Sequence, residues 1–203
     1  MKKTLLFTLL IFCLTSSFLE AHRMACRTND GKNVVLDSNN TWNYFSGEVY
    51  KKSDKAKKFF KSNRVNYGVW VDSDLWTSQA LDKKEDVTEF KIKLKNDLIS
   101  AEIRIDDASN SYALIKKTLL DEFSELDFEI SNMKEVDCIV NNLLVKRFEF
   151  DCKSDDCWIR MFGQIYIEDN ATIFICTSAT KNKLELKEVA TKELFDGLVQ
   201  LAM

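Results

Sequence analysis

Phe148-Glu149-Phe150-Asp151-Cys152, then Lys153-Ser154-Asp155-Asp156, then Cys157-Trp158-Ile159-Arg160-Met161 is the stretch whose reading decides the fold. Apolar and polar residues alternate with the period of a strand on both sides of a short polar break, and a break that brief returns the chain antiparallel. Working outward, the same pattern predicts four strands near 135–140, 143–152, 157–167 and 171–177, joined by Asn141-Asn142, the Lys153–Asp156 loop and Asp169-Asn170. Short turns between consecutive strands make an antiparallel meander. Upstream, Thr88 to Leu94 alternates, turns at Asn96-Asp97 and returns as Ile99 to Ile105, a hairpin. Tyr112, Ile115, Leu119, Leu120, Phe123 and Leu126 recur at helical spacing after the capping candidates Ser109 and Asn110. A last helix from Leu184 to Leu201 sets Leu186, Ala190, Leu194 and Leu198 along one stripe that should cover one sheet face. The class is therefore α+β, an antiparallel sheet with a four-strand C-terminal meander flanked by helices.

Before the hairpin, Asn66-Tyr67-Gly68-Val69-Trp70-Val71 reads as a short strand, and Asp72-Ser73-Asp74-Leu75-Trp76 as a turn returning an indole to the core. The order of strand, Trp-bearing turn, hairpin, helix, four-strand meander and C-terminal helix resembles the PsbP-like fold family. The matching residues are Tyr67-Gly68-Val69-Trp70-Val71 with Trp76, and Phe162-Gly163-Gln164-Ile165-Tyr166 feeding Ile173-Phe174-Ile175-Cys176-Thr177. That family includes photosystem II extrinsic subunits and many exported bacterial proteins. The resemblance implies an α/β/α sandwich that acts through binding and carries no shared catalytic machinery. A fold hosts many functions, so the site must be argued from its own residues.

The N-terminal part reads differently. Lys2 and Lys3, an apolar run from Leu5 to Leu14 and then Thr15-Ser16-Ser17 form a secretory signal peptide, cleaved near Ser17 to Ala21. Arg23 before Cys26 argues against a lipid anchor on that cysteine, and no later run approaches the ~20 apolar residues of a membrane span. The expected product is secreted or periplasmic. Residues 22–47 hold a β-hairpin in which Val34 and Leu36 oppose Trp42 and Tyr44. It resembles the "DG(K/R)-x-V-x-L-x-x-DGTW-x-Y" hairpin at the start of many secreted bacterial proteins, with Asn39-Asn40 where Asp-Gly is usual. Residues 48–64 are a basic connector, a short helix capped by Ser53, and 65–203 are the PsbP-like domain.

Composition excludes several chemistries. The one histidine, His22, lies at the boundary of the leader, so residues 23–203 hold no imidazole for a histidine-based nucleophile system, the usual zinc sites or a pH switch. A net charge of −3 gives no basic field for nucleic acid. No proline and only five glycines leave no room for low-complexity linkers. Neither a cofactor nor a metal is expected. The mature cysteines Cys26, Cys138, Cys152, Cys157 and Cys176 are odd in number, and Cys152 with Cys157, flanking a hairpin loop, are the expected structural disulfide.

Two sets of residues are candidate binding sites. Trp158, Arg160, Phe162, Gln164 and Tyr166 share one face of the third meander strand, either under a helix or in an aromatic groove with a polar clamp. Lys51, Lys52, Lys55, Lys57, Lys58 and Lys61 form a basic run suited to an anionic surface, or simply a solvated linker with Phe59-Phe60 tucked in. The acids Asp72 with Asp74, Asp106 with Asp107, and Asp155 with Asp156 suit turns better than calcium or paired-carboxylate catalysis. No nucleophile or acid–base set stands out, and the expected function is an exported noncatalytic binding module for a protein partner in the cell envelope. The alternative is a small-ligand or anionic-surface (lipid or cell-wall polymer) binder, with a carboxylate hydrolase third.

Overall fold

The computed structural model describes residues 24–36, 41–79, 88–95, 100–155, 157–168, 170–180 and 184–201. The leader, His22, the Asn39-Asn40 and Asn96-Asp97 turns, Asp156 and Asp169 lie outside the described residues. Four long strands, β10 (Glu129–Val140), β11 (Leu143–Lys153), β12 (Trp158–Glu168) and β13 (Ala171–Thr180), form the expected antiparallel meander. Asn141 and Asn142 both take positive φ, 48° and 71°, the left-handed pair that a two-residue turn matched to strand twist demands. β10 begins six residues before the predicted start. It carries a bulge between Ser131 and Lys134, where Asn132 is also left-handed at φ 53°.

β13 continues through β9 (Ser100–Asp106), β8 (Thr88–Leu94) and β7 (Trp76–Gln79), while β4 (Val49–Tyr50) runs parallel to β10 at the far edge. The eight-stranded order is β4-β10-β11-β12-β13-β9-β8-β7. On one face lies the helix α1 (Tyr112–Glu125), whose Leu119 packs with Phe148, Phe150, Met161, Ile165 and Phe174. The other face packs against the helix α2 (Leu184–Phe195) and a second sheet of β5 (Lys58–Lys61), β6 (Tyr67–Val71) and β14 (Leu198–Gln200), ordered β14-β6-β5. Val69, Val71, Leu194 and Leu198 are each 1% exposed there. Burial of side chains this completely contributes roughly 1.5–3 kcal/mol each before entropy is counted.

Three expectations are corrected. The cap of α1 is Ser111, whose Oγ accepts from the Leu114 N–H at 3.2 Å, rather than Ser109 or Asn110. The last helix stops at Phe195, because Gly197 passes so close to β6 that a Cβ there would meet the Trp70 carbonyl oxygen at 1.9 Å. The chain then pairs as β14, with Leu198 opposite Val69. The basic connector is not a helix: Ser53 closes a turn with Ala56 (N–H to carbonyl, 3.1 Å), and β4 and β5 take their places in the two sheets. Phe59 and Phe60 consequently point to opposite sides, Phe59 to Trp70 and Phe60 to Phe90.

At the N-terminus β1 (Met24–Arg27), β2 (Asn33–Leu36) and β3 (Trp42–Tyr44) make a separate three-stranded sheet. Val34 lies opposite Tyr44 and Leu36 opposite Trp42, the register that the alternation predicts, with β1 as an additional strand. Among the described residues no helix is long and apolar enough to cross a membrane.

Candidate functional site

The alternation along β12 sends Trp158, Arg160, Phe162, Gln164 and Tyr166 to the α2 side, and Ile159, Met161, Ile165 and Ile167 to the α1 side. Both faces are covered, yet unevenly. Gln164 is fully buried: its Nε2 donates to the Phe195 carbonyl at 2.9 Å, and its Oε1 accepts from Arg147 Nε at 2.8 Å. Arg147 also donates to Asp196 at 2.6 Å, with its guanidinium 4.3 Å from the Tyr50 ring centroid. Burial pushes the Asp196 carboxyl above its ordinary pKa, with Arg147 opposing the shift. This set clamps the end of α2 to the sheet.

Arg160 and Trp158 are half-buried nearer the rim. Arg160 donates to both carboxylate oxygens of Asp151 (2.7 and 3.1 Å), and Asn132 from the β10 bulge adds a third hydrogen bond at 2.8 Å. The Arg160 guanidinium bonded to Asp151 holds that carboxyl below the usual carboxylate range. At the other end of the strand Tyr166 meets Tyr67 (hydroxyls 3.2 Å apart), and Tyr67 in turn donates to Glu168. Of the five, Phe162 lines an open concavity.

That concavity is a groove of about 470 Å³ between β10, β11 and β12 and the exposed side of α2. Its floor carries Val136, Phe162 and Phe195, Val136 being 52% exposed. Lys134 pairs with Glu149 at 2.7 Å along one wall, while Glu188, Thr191 and Lys192 share one face of α2, at i, i+3 and i+4, along the other. The sequence reading missed Val136, Arg147 and this α2 stripe. The available signals were the adjacent cations Lys146 and Arg147 within β11 and the three- and four-residue spacing of Glu188, Thr191, Lys192 and Phe195. A smaller cavity of about 230 Å³ lies beside α1, where Arg104 sits over the Phe174 ring (5.8 Å) and pairs with Glu102 at 2.9 Å.

The predicted lysines divide. Lys58 turns to Ser78 Oγ at 2.7 Å, and Lys52 lies 5.0 Å above the Trp70 ring while donating to the carbonyls of Ser53 (3.3 Å) and Ala56 (3.4 Å). Lys51, Lys55, Lys57 and Lys61 are exposed. The acids serve turns: Asp72 accepts from the Asp74 N–H at 2.8 Å, and Asp106 from the Ala108 N–H at 3.2 Å and Asn110 Nδ2 at 2.8 Å. Among the described residues no three of His, Cys, Asp and Glu converge as metal ligands would.

Cys152 and Cys157 do not face each other directly. The register sets Cys152 opposite Ile159 and Lys153 opposite Trp158, with the turn closed by Ser154 N–H to the Cys157 carbonyl at 2.9 Å. Both thiols are free in this structure, Cys152 buried and Cys157 exposed. A bridge between them would run diagonally across the hairpin, where cross-strand neighbours lie ~7–8 Å apart.

No protein-family model matches the chain, and no curated protein matches it. Among solved structures, the solution structure of cyanobacterial PsbP (CyanoP) from Synechocystis sp. PCC 6803 superposes with a TM-score of 0.55 at 6% identity, covering 76% of this chain and 98% of that one. LpqN, involved in cell envelope biogenesis of Mycobacterium tuberculosis, gives a TM-score of 0.47 at 10% identity over 77% of this chain and 100% of its own. The fold is PsbP-like.

Proposed function

We propose that the chain is an exported, noncatalytic binding module that recognises a protein partner in the cell envelope through the groove beside α2. The observation that carries this is the groove's chemistry: an apolar floor of Val136, Phe162 and Phe195, exposed chiefly at Val136, between walls holding charges of both signs. A protein segment with apolar anchors and mixed charge is complementary to such a surface. Acids in and beside the groove support a noncatalytic role, since Glu149, Asp151 and Asp196 each face a cation rather than a second acid. The predicted leader, residues 1–21, supports export.

A photo-crosslinking residue placed at Val136 is expected to trap one envelope protein that the same residue placed at Lys117, exposed on α1, does not trap. Val136→Asp should abolish capture of that protein while moving stability by no more than about 0.5 kcal/mol, as surface changes usually do. Unchanged capture by Val136→Asp would remove the groove as the site.

A further inference from the structure

We propose that the outer face of the small sheet β5-β6-β14, with the loop 51–57 folded onto it, docks the protein on an anionic lipid surface. The inference stands apart from the groove and does not rest on it.

Strand alternation gives this sheet two unlike faces. Val69 and Val71 point into the core, whereas Phe59 and Trp70, directly opposite in the register, point outward and remain half-buried. Their ring centroids are 4.7 Å apart at 34°. Phe59 reaches over Gly68, where a Cβ would come within 2.3 Å of the ring, so the missing side chain leaves room for the aromatic pair. Lys61 shares the Phe59 side of β5 by its two-residue spacing.

The basic loop beside the aromatic pair is anchored. Lys52 caps the Trp70 ring and holds the carbonyls of Ser53 and Ala56, its own N–H donates to Asn141 Oδ1 at 3.0 Å, and Ala56 is 2% exposed. Asn141 in turn donates to the carbonyls of Asp196 and Leu198, both at 2.8 Å. Lys51, Lys55 and Lys57 therefore extend from a backbone that is already anchored, so binding need not order that backbone. No ion pair among the described residues involves Lys51, Lys55, Lys57 or Lys61, and Asp54 is the one acid of the loop.

This concentration of positive charge stands on a chain of net charge −3. Ammonium groups around an aromatic pair match the headgroup region of an anionic bilayer, where rings settle at the boundary with the acyl chains and cations at the phosphates. A soluble polyanion would use the lysines alone and have no place for the rings.

The test uses the mature chain and vesicles of phosphatidylcholine and phosphatidylglycerol in equal parts, read by co-sedimentation and tryptophan emission. Binding is expected to these vesicles and not to phosphatidylcholine alone, and to weaken as salt rises from about 0.05 to about 0.5 M. Exchanging Lys55, Lys57 and Lys61 for Gln should lower the partition coefficient by roughly fivefold per lysine, about a hundredfold together, with circular dichroism unchanged. Val136→Asp should bind vesicles as the wild type does, which separates this result from the fate of the groove. Absence of vesicle binding at low salt, undiminished binding by the triple Gln variant, or binding to a soluble polyanion such as polyglutamate but not to vesicles would each overturn the proposal.

Discussion

The side-chain amide of Gln164, at the centre of β12, donates to the backbone carbonyl of Phe195, the last residue of α2. A carbonyl in the last turn of a helix has no partner within the helix, and here a strand side chain supplies one. The same amide oxygen receives Arg147, which reaches Asp196. The position of α2 over the sheet, and hence the width of the groove, depends on this buried polar set.

Gln164→Leu should therefore destabilise the protein by about 2 kcal/mol, because it strands the Phe195 carbonyl and Arg147 Nε without replacing either bond. The urea midpoint is expected to fall with little change in slope. An unchanged midpoint would show that the amide is dispensable for seating α2.

Asp151 and Arg160 give a pH-dependent contribution. The Arg160 bond holds the Asp151 carboxyl below its ordinary value, so the unfolded chain takes up a proton before the folded one as pH falls. The stabilisation is complete above the unfolded pKa of ~3.9 and is lost as pH drops through the lower folded value. Arg160→Ala, which leaves the nearly buried Asp151 without its cation, should cost about 3 kcal/mol at neutral pH. Thermal midpoints of wild type and variant should converge below about pH 4. A gap independent of pH would mean that packing, not the ion pair, was lost.

Thiol reactivity should follow burial. Desolvation pushes the Cys138 thiol up to about 11 and those of Cys152 and Cys176 up to about 12, leaving almost no thiolate at neutral pH. In the reduced native protein, alkylating reagents should label the exposed Cys26 and Cys157 and reach the other three only on unfolding. For protein recovered from an oxidising compartment we propose the diagonal Cys152–Cys157 bridge, which peptide mapping without reductant would show as a linked pair and which would remove Cys157 from the labelled set. Labelling of Cys157 in that material would exclude the bridge.

The meander was legible because alternation and brief polar turns are local signals, and they located Asn141-Asn142 and the four strands. The α1 stripe was legible for the same reason, although Leu126 is 66% exposed at its end. The β5 and β14 strands were not. Each is too short for its period to show, and each is a strand only because β6 lies beside it. Gly197, the residue that ends α2, looked ordinary in sequence because its constraint is the Trp70 carbonyl from a distant strand.

The amino-acid order alone determined the class of fold and the two apolar sides of β12, since side-chain period and turn chemistry act over a few residues. Tertiary structure decided which positions on the α2 side stay open. Phe162 reaches a groove while Gln164, two residues further on, is sealed beneath Phe195, because the cover on each position comes from segments remote in the chain. The lysines follow the same rule: their charge was written in the sequence, but only packing against Trp70 and Asn141 anchors the backbone that carries them.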